Sequence, residues 1–249
     1  MTTTTSDRRA RNRRRREREL RRRRPVSTGR RWLSLPAISA YALAGGSLLI
    51  VLAVINGRPA PPPLPAAPPV AGSFSGLPTD GFALGRADAP VTIDLYEDFQ
   101  CPACRRWGEV VFPALAANEL ADGAARLVFH DFAFIGPESF DAARAGHAAA
   151  KQDRFWDLWA TIYASQGAEN SGALEPPRLV EMARRLGLDV DRFTADMAPA
   201  AAGPAVDASN AAAQRLGVNS TPTVVVDGRL LRVAGYDEIA AAIADAVAD

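Results

Sequence analysis

Val91-Thr92-Ile93-Asp94-Leu95-Tyr96-Glu97-Asp98-Phe99-Gln100-Cys101-Pro102-Ala103-Cys104 is the stretch on which the fold turns. Its first six residues are rich in β-branched and aromatic side chains and predict a strand. The stretch ends in a C-x-x-C whose cysteines are the only two in the chain. Such a pair at a strand-to-helix junction is the sequence form of a redox-active dithiol. If Cys101 starts a helix, its sulfur meets unpaired backbone N–H groups and the positive end of the helix dipole. Both favour the thiolate, the species that attacks disulfides. Cys104 then lies one turn further along the same face, where it can close on Cys101.

Upstream, three segments of different composition precede this stretch. Residues 1–31 hold fourteen arginines against Asp7, Glu17 and Glu19, so a chain of net charge +1 carries +11 in its tail and −10 in the rest. Residues 32–56 contain no charged side chain, and Leu33 to Ile55 supplies 23 predominantly apolar positions. About 20 helical residues cross a bilayer, so this segment predicts a single transmembrane helix. With the arginines crowded on one flank, the positive-inside rule puts the N-terminus in the cytoplasm and the remainder of the chain outside. A cleaved signal peptide competes with this reading, but the apolar run is longer than a signal core. The arginine tail also invites a nucleic-acid reading. It abuts a span that requires such charge, it can touch anionic lipid, and it has no aromatic before Trp32 for base stacking, so the bilayer is the expected partner and no nucleic acid is expected. Residues 57–78 are proline-rich and read as a semi-extended linker.

Residues 79–249 have the size of one domain. Gly81 to Leu84 reads as a short first strand. A helix follows the dithiol to Leu120, bent near Pro113. Arg126 to Phe134 predicts the next strand, ended by Gly136-Pro137, which completes a βαβ unit. From about residue 138 to 216 the pattern becomes alanine-rich and helical, with helices expected at Ser139–Lys151, Arg154–Gln166, Pro177–Leu186 and Ala205–Leu216. Strand returns at Thr223 to Val226, Asp227-Gly228 predicts a hairpin turn into Leu230–Val233, and an amphipathic helix from Tyr236 to Val247 closes the domain. This order is an α/β thioredoxin topology with a helical insertion.

The run Tyr96 to Cys104, with Ser220-Thr221-Pro222-Thr223 over a hundred residues later, resembles the DsbA-like thioredoxin family, most closely its membrane-anchored actinobacterial members. The resemblance implies a thiol-disulfide oxidoreductase that needs no cofactor and no metal, acts on cysteine-containing exported proteins, and is reoxidised by a separate membrane redox partner. It implies that Cys101 and Cys104 are catalytic, supported by Pro102, Ala103, Thr221 and Pro222. It further implies that the Thr221–Pro222 peptide is cis, with the neighbouring backbone pairing with extended substrate. A disulfide reductase or isomerase on the same site, and a non-catalytic peptide-binding or chaperone module, stand as alternatives.

Two departures from the family pattern bear on the chemistry. Ala103 replaces the histidine found between the cysteines of the best-known oxidants, so Cys101 must rely on the helix terminus and nearby backbone. Leu95 occupies the position, six residues before the first cysteine, where many members carry a buried glutamate as proton acceptor. Asp94 and Glu97 are the neighbouring acids that can substitute, although Glu97 reads more naturally as an exposed strand-end residue. His130 and His147 are the remaining candidates for joining the cysteines in a zinc site, but their spacing is wrong for one. His130 reads as a half-buried strand residue, His147 as helix surface, and Trp107 as core.

Overall fold

The computed structural model describes residues 62–64, 74–232 and 235–248. The arginine-rich tail, the apolar span and most of the linker expected from the sequence lie outside these residues. Among the described residues no helix is long and apolar enough to cross a membrane.

The quoted stretch opens with strand β3, Val91–Glu97, preceded by the short strands β1, Thr79–Asp80, and β2, Ala83–Leu84. Strand β4, Ala125–Asp131, lies parallel to β3, while β5, Thr223–Val226, lies antiparallel on its other side. Strand β6, Arg229–Arg232, pairs with β5, and the sheet order is β1-β2-β4-β3-β5-β6. Alternation along β3 sends Ile93 and Leu95 into the main core and leaves Thr92 and Asp94 half-buried on the opposite face. Register pairs Leu95 with Phe129 and with Val224, so apolar side chains meet across the three central strands. The expected turn between β5 and β6 forms at Asp227 and Gly228, whose φ values of 44° and 83° are both positive, as a two-residue type I′ turn requires.

The crossover from β3 to β4 begins with helix α1, Pro102–Val110. It breaks at Val111 and resumes as α2, Phe112–Leu115, followed by a π turn over Ala116–Leu120. The break falls where the sequence predicts a bend, and Pro113 sits in the first turn of α2, where its missing N–H leaves no ladder bond unmade.

Five helices form the insertion: α3, Pro137–Ala150; α4, Phe155–Ala164; α5, Pro176–Arg185; α6, Val190–Asp196; and α7, Pro199–Arg215. The sequence predicts four of them. Helix α6 is additional, opened by Asp189, whose side chain accepts the Arg192 N–H at 3.0 Å. Helix α7 starts six residues before its expected onset and runs through Pro204. Pro204 and Ala200 are both exposed, so the carbonyl freed by the missing N–H faces water. Strand β4 ends at Asp131, three residues before its expected end. Beyond it the backbone is taken by side chains: Asn210 bonds both the N–H and the carbonyl of Ala133, and Asp98 accepts from Phe134 and Ile135. Helix α8, Tyr236–Ala248, packs against β3 and β5.

Aromatic rings bind the insertion to the sheet. Phe99, Phe112, Phe129, Phe155, Trp156 and Trp159 are all fully buried, with Phe129 and Phe155 centroids 4.7 Å apart and Phe112 and Trp159 centroids 5.1 Å apart. Such ring pairs contribute about 0.5–1.5 kcal/mol each beyond their buried area. Helix α1 reaches this layer through Gly108, where a Cβ would stand 2.8 Å from the Trp159 ring. The absence of a side chain there lets α1 and α4 approach closely.

Candidate active site

The turn between β3 and α1 presents the dithiol. Cys101 donates its N–H to the Asp98 carbonyl at 2.9 Å, and Gln100 donates its N–H to the Asp98 side chain at 2.8 Å. Asp and Asn favour such turns because their side chains can accept the N–H two residues on. Cys101 thereby becomes the N-cap of α1, in extended conformation, with its carbonyl accepting from Arg105 N–H and with Pro102 beginning the helix. Pro102 and Ala103 are exposed, Cys101 is 8% exposed, and Cys104 is fully buried. The thiol of Cys101 donates to the Thr221 carbonyl at 3.4 Å, across 120 residues of sequence, and the Thr221–Pro222 peptide is cis.

The two sulfurs are electrostatically unlike. Cys101 is lowered to about 6, chiefly by a hydrogen bond from the Cys104 thiol, against the opposing effect of burial. The Thr221 side chain and the backbone N–H groups of Cys104 and Ala103 add to the lowering. Ala103 therefore contributes through its backbone alone. Burial pushes Cys104 well above the usual thiol range, reinforced by its bond to Cys101 and by the negative charges of Glu97 and Cys101.

Glu97 corrects the sequence expectation. It is not an exposed strand end but 1% exposed, lying on the core face of β3. Its Oε2 accepts from Trp159 Nε1 at 2.8 Å and from Tyr163 Oη at 3.0 Å, while Oε1 has no partner among the described residues. Burial raises it to about 8, opposed by those two hydrogen bonds and helped by the Cys101 charge. The other candidate acid, Asp94, points to the opposite face, where its Oδ1 lies 2.7 Å from His130 Nε2 in a pair about one-third exposed. Of the two, only Glu97 faces the dithiol.

His130 is half-buried on β4, as expected, and stacks on Tyr96 with centroids 4.7 Å apart. His147 differs from expectation. It is largely covered, with Nε2 2.7 Å from Oδ2 of the buried Asp131, because Phe82 packs edge-on against its ring. Trp107 is core, at 4% exposure. Among the described residues no cluster of three or more His, Cys, Asp or Glu side chains converges where a metal ion would bind.

Several residues around the site escape sequence reasoning. Buried Asp98 accepts four hydrogen bonds, from Gln100 N–H, Ser139 Oγ, Phe134 N–H and Ile135 N–H, and so ties the cysteine turn to the start of α3 and the loop after β4. Gln100 bonds Ser139 and Asn170, and Gln166 donates to the carbonyls of Phe99 and Cys101. The one available signal was Asp98 itself, a turn-favouring acid three residues before a helix N-cap.

A thioredoxin family model matches residues 78–245. The chain is 35% identical over 152 residues to the probable disulfide bond formation protein D of Bacillus anthracis, an alignment spanning 59% of this chain and 70% of that protein. Among solved structures, oxidised BdbD from Bacillus subtilis superposes with a TM-score of 0.63 at 23% identity, covering 76% of this chain and 97% of that one. A thioredoxin-like oxidoreductase from Silicibacter pomeroyi DSS-3 superposes with a TM-score of 0.58 at 28% identity, covering 72% and 98%.

Proposed function

The chain belongs to the DsbA-like thioredoxin family, and from that premise we propose that it is a thiol-disulfide oxidoreductase that forms disulfides in exported proteins through Cys101 and Cys104. The observation that carries this reading is the asymmetry of the pair: Cys101 caps α1 beside the Thr221 carbonyl, and Cys104 is sealed beneath it.

In the oxidising direction a substrate thiolate attacks Cys101 in the Cys101–Cys104 disulfide. A substrate-Cys101 disulfide forms, the bond to Cys104 breaks, and its electron pair leaves on the Cys104 sulfur. A buried thiolate is costly there, and Glu97, raised to about 8, holds a proton at neutral pH that it can transfer to Cys104. A second substrate thiolate then attacks the substrate sulfur of the mixed disulfide and expels Cys101, which is stable as a thiolate. The substrate loses two electrons and the dithiol gains them. Glu97 thus takes the proton-transfer role that Leu95 leaves empty. Thr221 and Pro222 border the sulfur, and the backbone there is suited to receive an extended substrate as an added strand.

The reading extends to location. The uncharged apolar run 32–56 with its arginine flank supports a single membrane anchor with a cytoplasmic N-terminus, which sets the dithiol outside the cell. The linker 57–78 then acts as a spacer, and a separate membrane redox partner reoxidises the dithiol.

The disulfide form, mixed with a reduced two-cysteine peptide, is expected to convert it to the disulfide, and the Cys101→Ser variant is expected to leave it reduced. A wild-type protein that binds the peptide without oxidising it would show a binding module instead.

A further inference from the structure

Trp159, Tyr163 and Gln166 recur at intervals of four and three residues along α4 and the turn that ends it. Trp159 and Tyr163, one turn apart, share one face of α4, and Gln166 lies two residues beyond the helix end, where its N–H donates to the Tyr163 carbonyl at 3.3 Å. The buried side chains of α4 are otherwise mainly apolar, including Phe155, Trp156, Leu158 and Ile162. Each of the three polar handles is directed at the segment from Glu97 to Cys101. Trp159 and Tyr163 hold the Glu97 carboxyl, and Tyr163 Oη also approaches the Asp98 carbonyl at 3.4 Å. Gln166 Nε2 donates to the Phe99 carbonyl at 2.9 Å and to the Cys101 carbonyl at 3.1 Å.

From these contacts we infer that Gln166 is a positioning residue for Cys101, holding the backbone of the reactive cysteine in register with the first turn of α1. The inference rests on the oxidoreductase reading above. The Cys101 carbonyl already accepts the Arg105 N–H, the first ladder bond of the helix. A second donor on the same oxygen fixes the peptide plane, and with it the direction in which the Ala103 and Cys104 N–H groups meet Sγ. The bond to Phe99 braces the turn from its other end, while Gln100 between them is tied to Ser139 and Asn170.

Among ionisable groups, Cys104 from α1 and Glu97 from β3 couple to the Cys101 sulfur, and Tyr163 from α4 and Asp98 from the turn lie behind them. Gln166 is neutral. Replacing it with an uncharged side chain of similar length leaves all those charges in place, so a change in the pH profile reports the positioning alone.

The test is Gln166→Met in the full chain, with alkylation of reduced Cys101 by iodoacetamide followed against pH. The midpoint is expected to rise by about one unit, a roughly tenfold loss of thiolate below it. Gln166→Glu, which loses the donor and adds a negative charge, is expected to raise it at least as far. Circular dichroism establishes folding, and if the Met variant does not fold, the uncharged Gln166→Ala variant decides. Folded variants that titrate at the wild-type midpoint overturn the role of Gln166. A wild type that itself titrates as an ordinary thiol and oxidises no peptide removes the underlying oxidoreductase reading instead.

Discussion

Glu97 Oε2 lies 2.8 Å from Trp159 Nε1, so a carboxyl at the end of the central strand is held by a ring from a helix 62 residues away. This bond, with that of Tyr163, keeps a titratable acid beside the buried cysteine and shuts it off from water. Its proton is linked to folding. Burial raises Glu97 from 4.5 to about 8, so between those values the folded chain holds a proton that the unfolded chain has lost. The stability contributed by this group is therefore full at the acidic end, declines as pH climbs above the unfolded value, and is lost once pH passes the folded one. In the disulfide form neither cysteine titrates and the Cys101 charge is absent, but burial still raises this carboxyl, which is expected to contribute a fall of a few kcal/mol as pH climbs from about 4.5 toward 8. Glu97→Gln is expected to flatten that slope in urea titrations across pH, and to slow peptide oxidation by about a hundredfold or more, the contribution of one proton-transfer group.

The two cysteines are expected to react in strict order. Alkylation of the reduced protein is expected to modify Cys101 with a midpoint near pH 6 and to leave Cys104 untouched until the fold opens. Cys104→Ser, mixed with the disulfide form of a two-cysteine peptide, is expected to accumulate a Cys101–peptide mixed disulfide: the Cys101 thiolate opens the peptide disulfide, and Cys104 is no longer there to attack Cys101 and release the reduced peptide. Mass spectrometry of trapped complexes reads this directly.

Asp98→Ala strips the acceptor from four donors at once, two of them on the loop after β4. Buried donors left without partners cost about 1–3 kcal/mol each where water cannot reach them, and the loop can relax around some of them. A loss of about 3–5 kcal/mol in urea unfolding is expected, with the cysteine turn exchanging its amide hydrogens faster than the rest of the sheet.

Gly108→Ala places a Cβ 2.8 Å from the Trp159 ring. The ring is held in tilted contacts with Phe112 and Trp156 and edge-on against Tyr163, and has little room to withdraw. An alanine that would favour an isolated helix is here expected to cost about 1–3 kcal/mol through overpacking, seen as a lower urea midpoint at unchanged slope.

The central strand, the dithiol at its end and the hairpin at Asp227-Gly228 were legible because each is encoded locally: alternation, a cysteine spacing, a turn dipeptide. Strand β4 stops short of its expected end because, although Ala133 and Phe134 look like strand, the side chains of Asn210 and Asp98, 77 and 36 residues away, draw that backbone out of the ladder. Helix α7 begins six residues before the expected Ala205 and runs through Pro204, because the carbonyl that this proline leaves unpaired lies on an exposed face. Glu97 is buried by an element that the local sequence does not show. Nothing near it in the chain announces that α4 will fold across it, and a terminal strand acid is ordinarily solvated. His147 likewise owes its covered position to Asp131 and Phe82, which only the tertiary structure brings together.

The reduction potential of the Cys101–Cys104 couple, measured by equilibration with glutathione buffers, tests the account most directly. A dithiol whose reduced form is stabilised by a Cys101 thiolate is a strong oxidant, so the account predicts a value toward about −120 mV, the oxidising end of the range for this fold. A value at or below about −270 mV, that of a disulfide reductant, would contradict it.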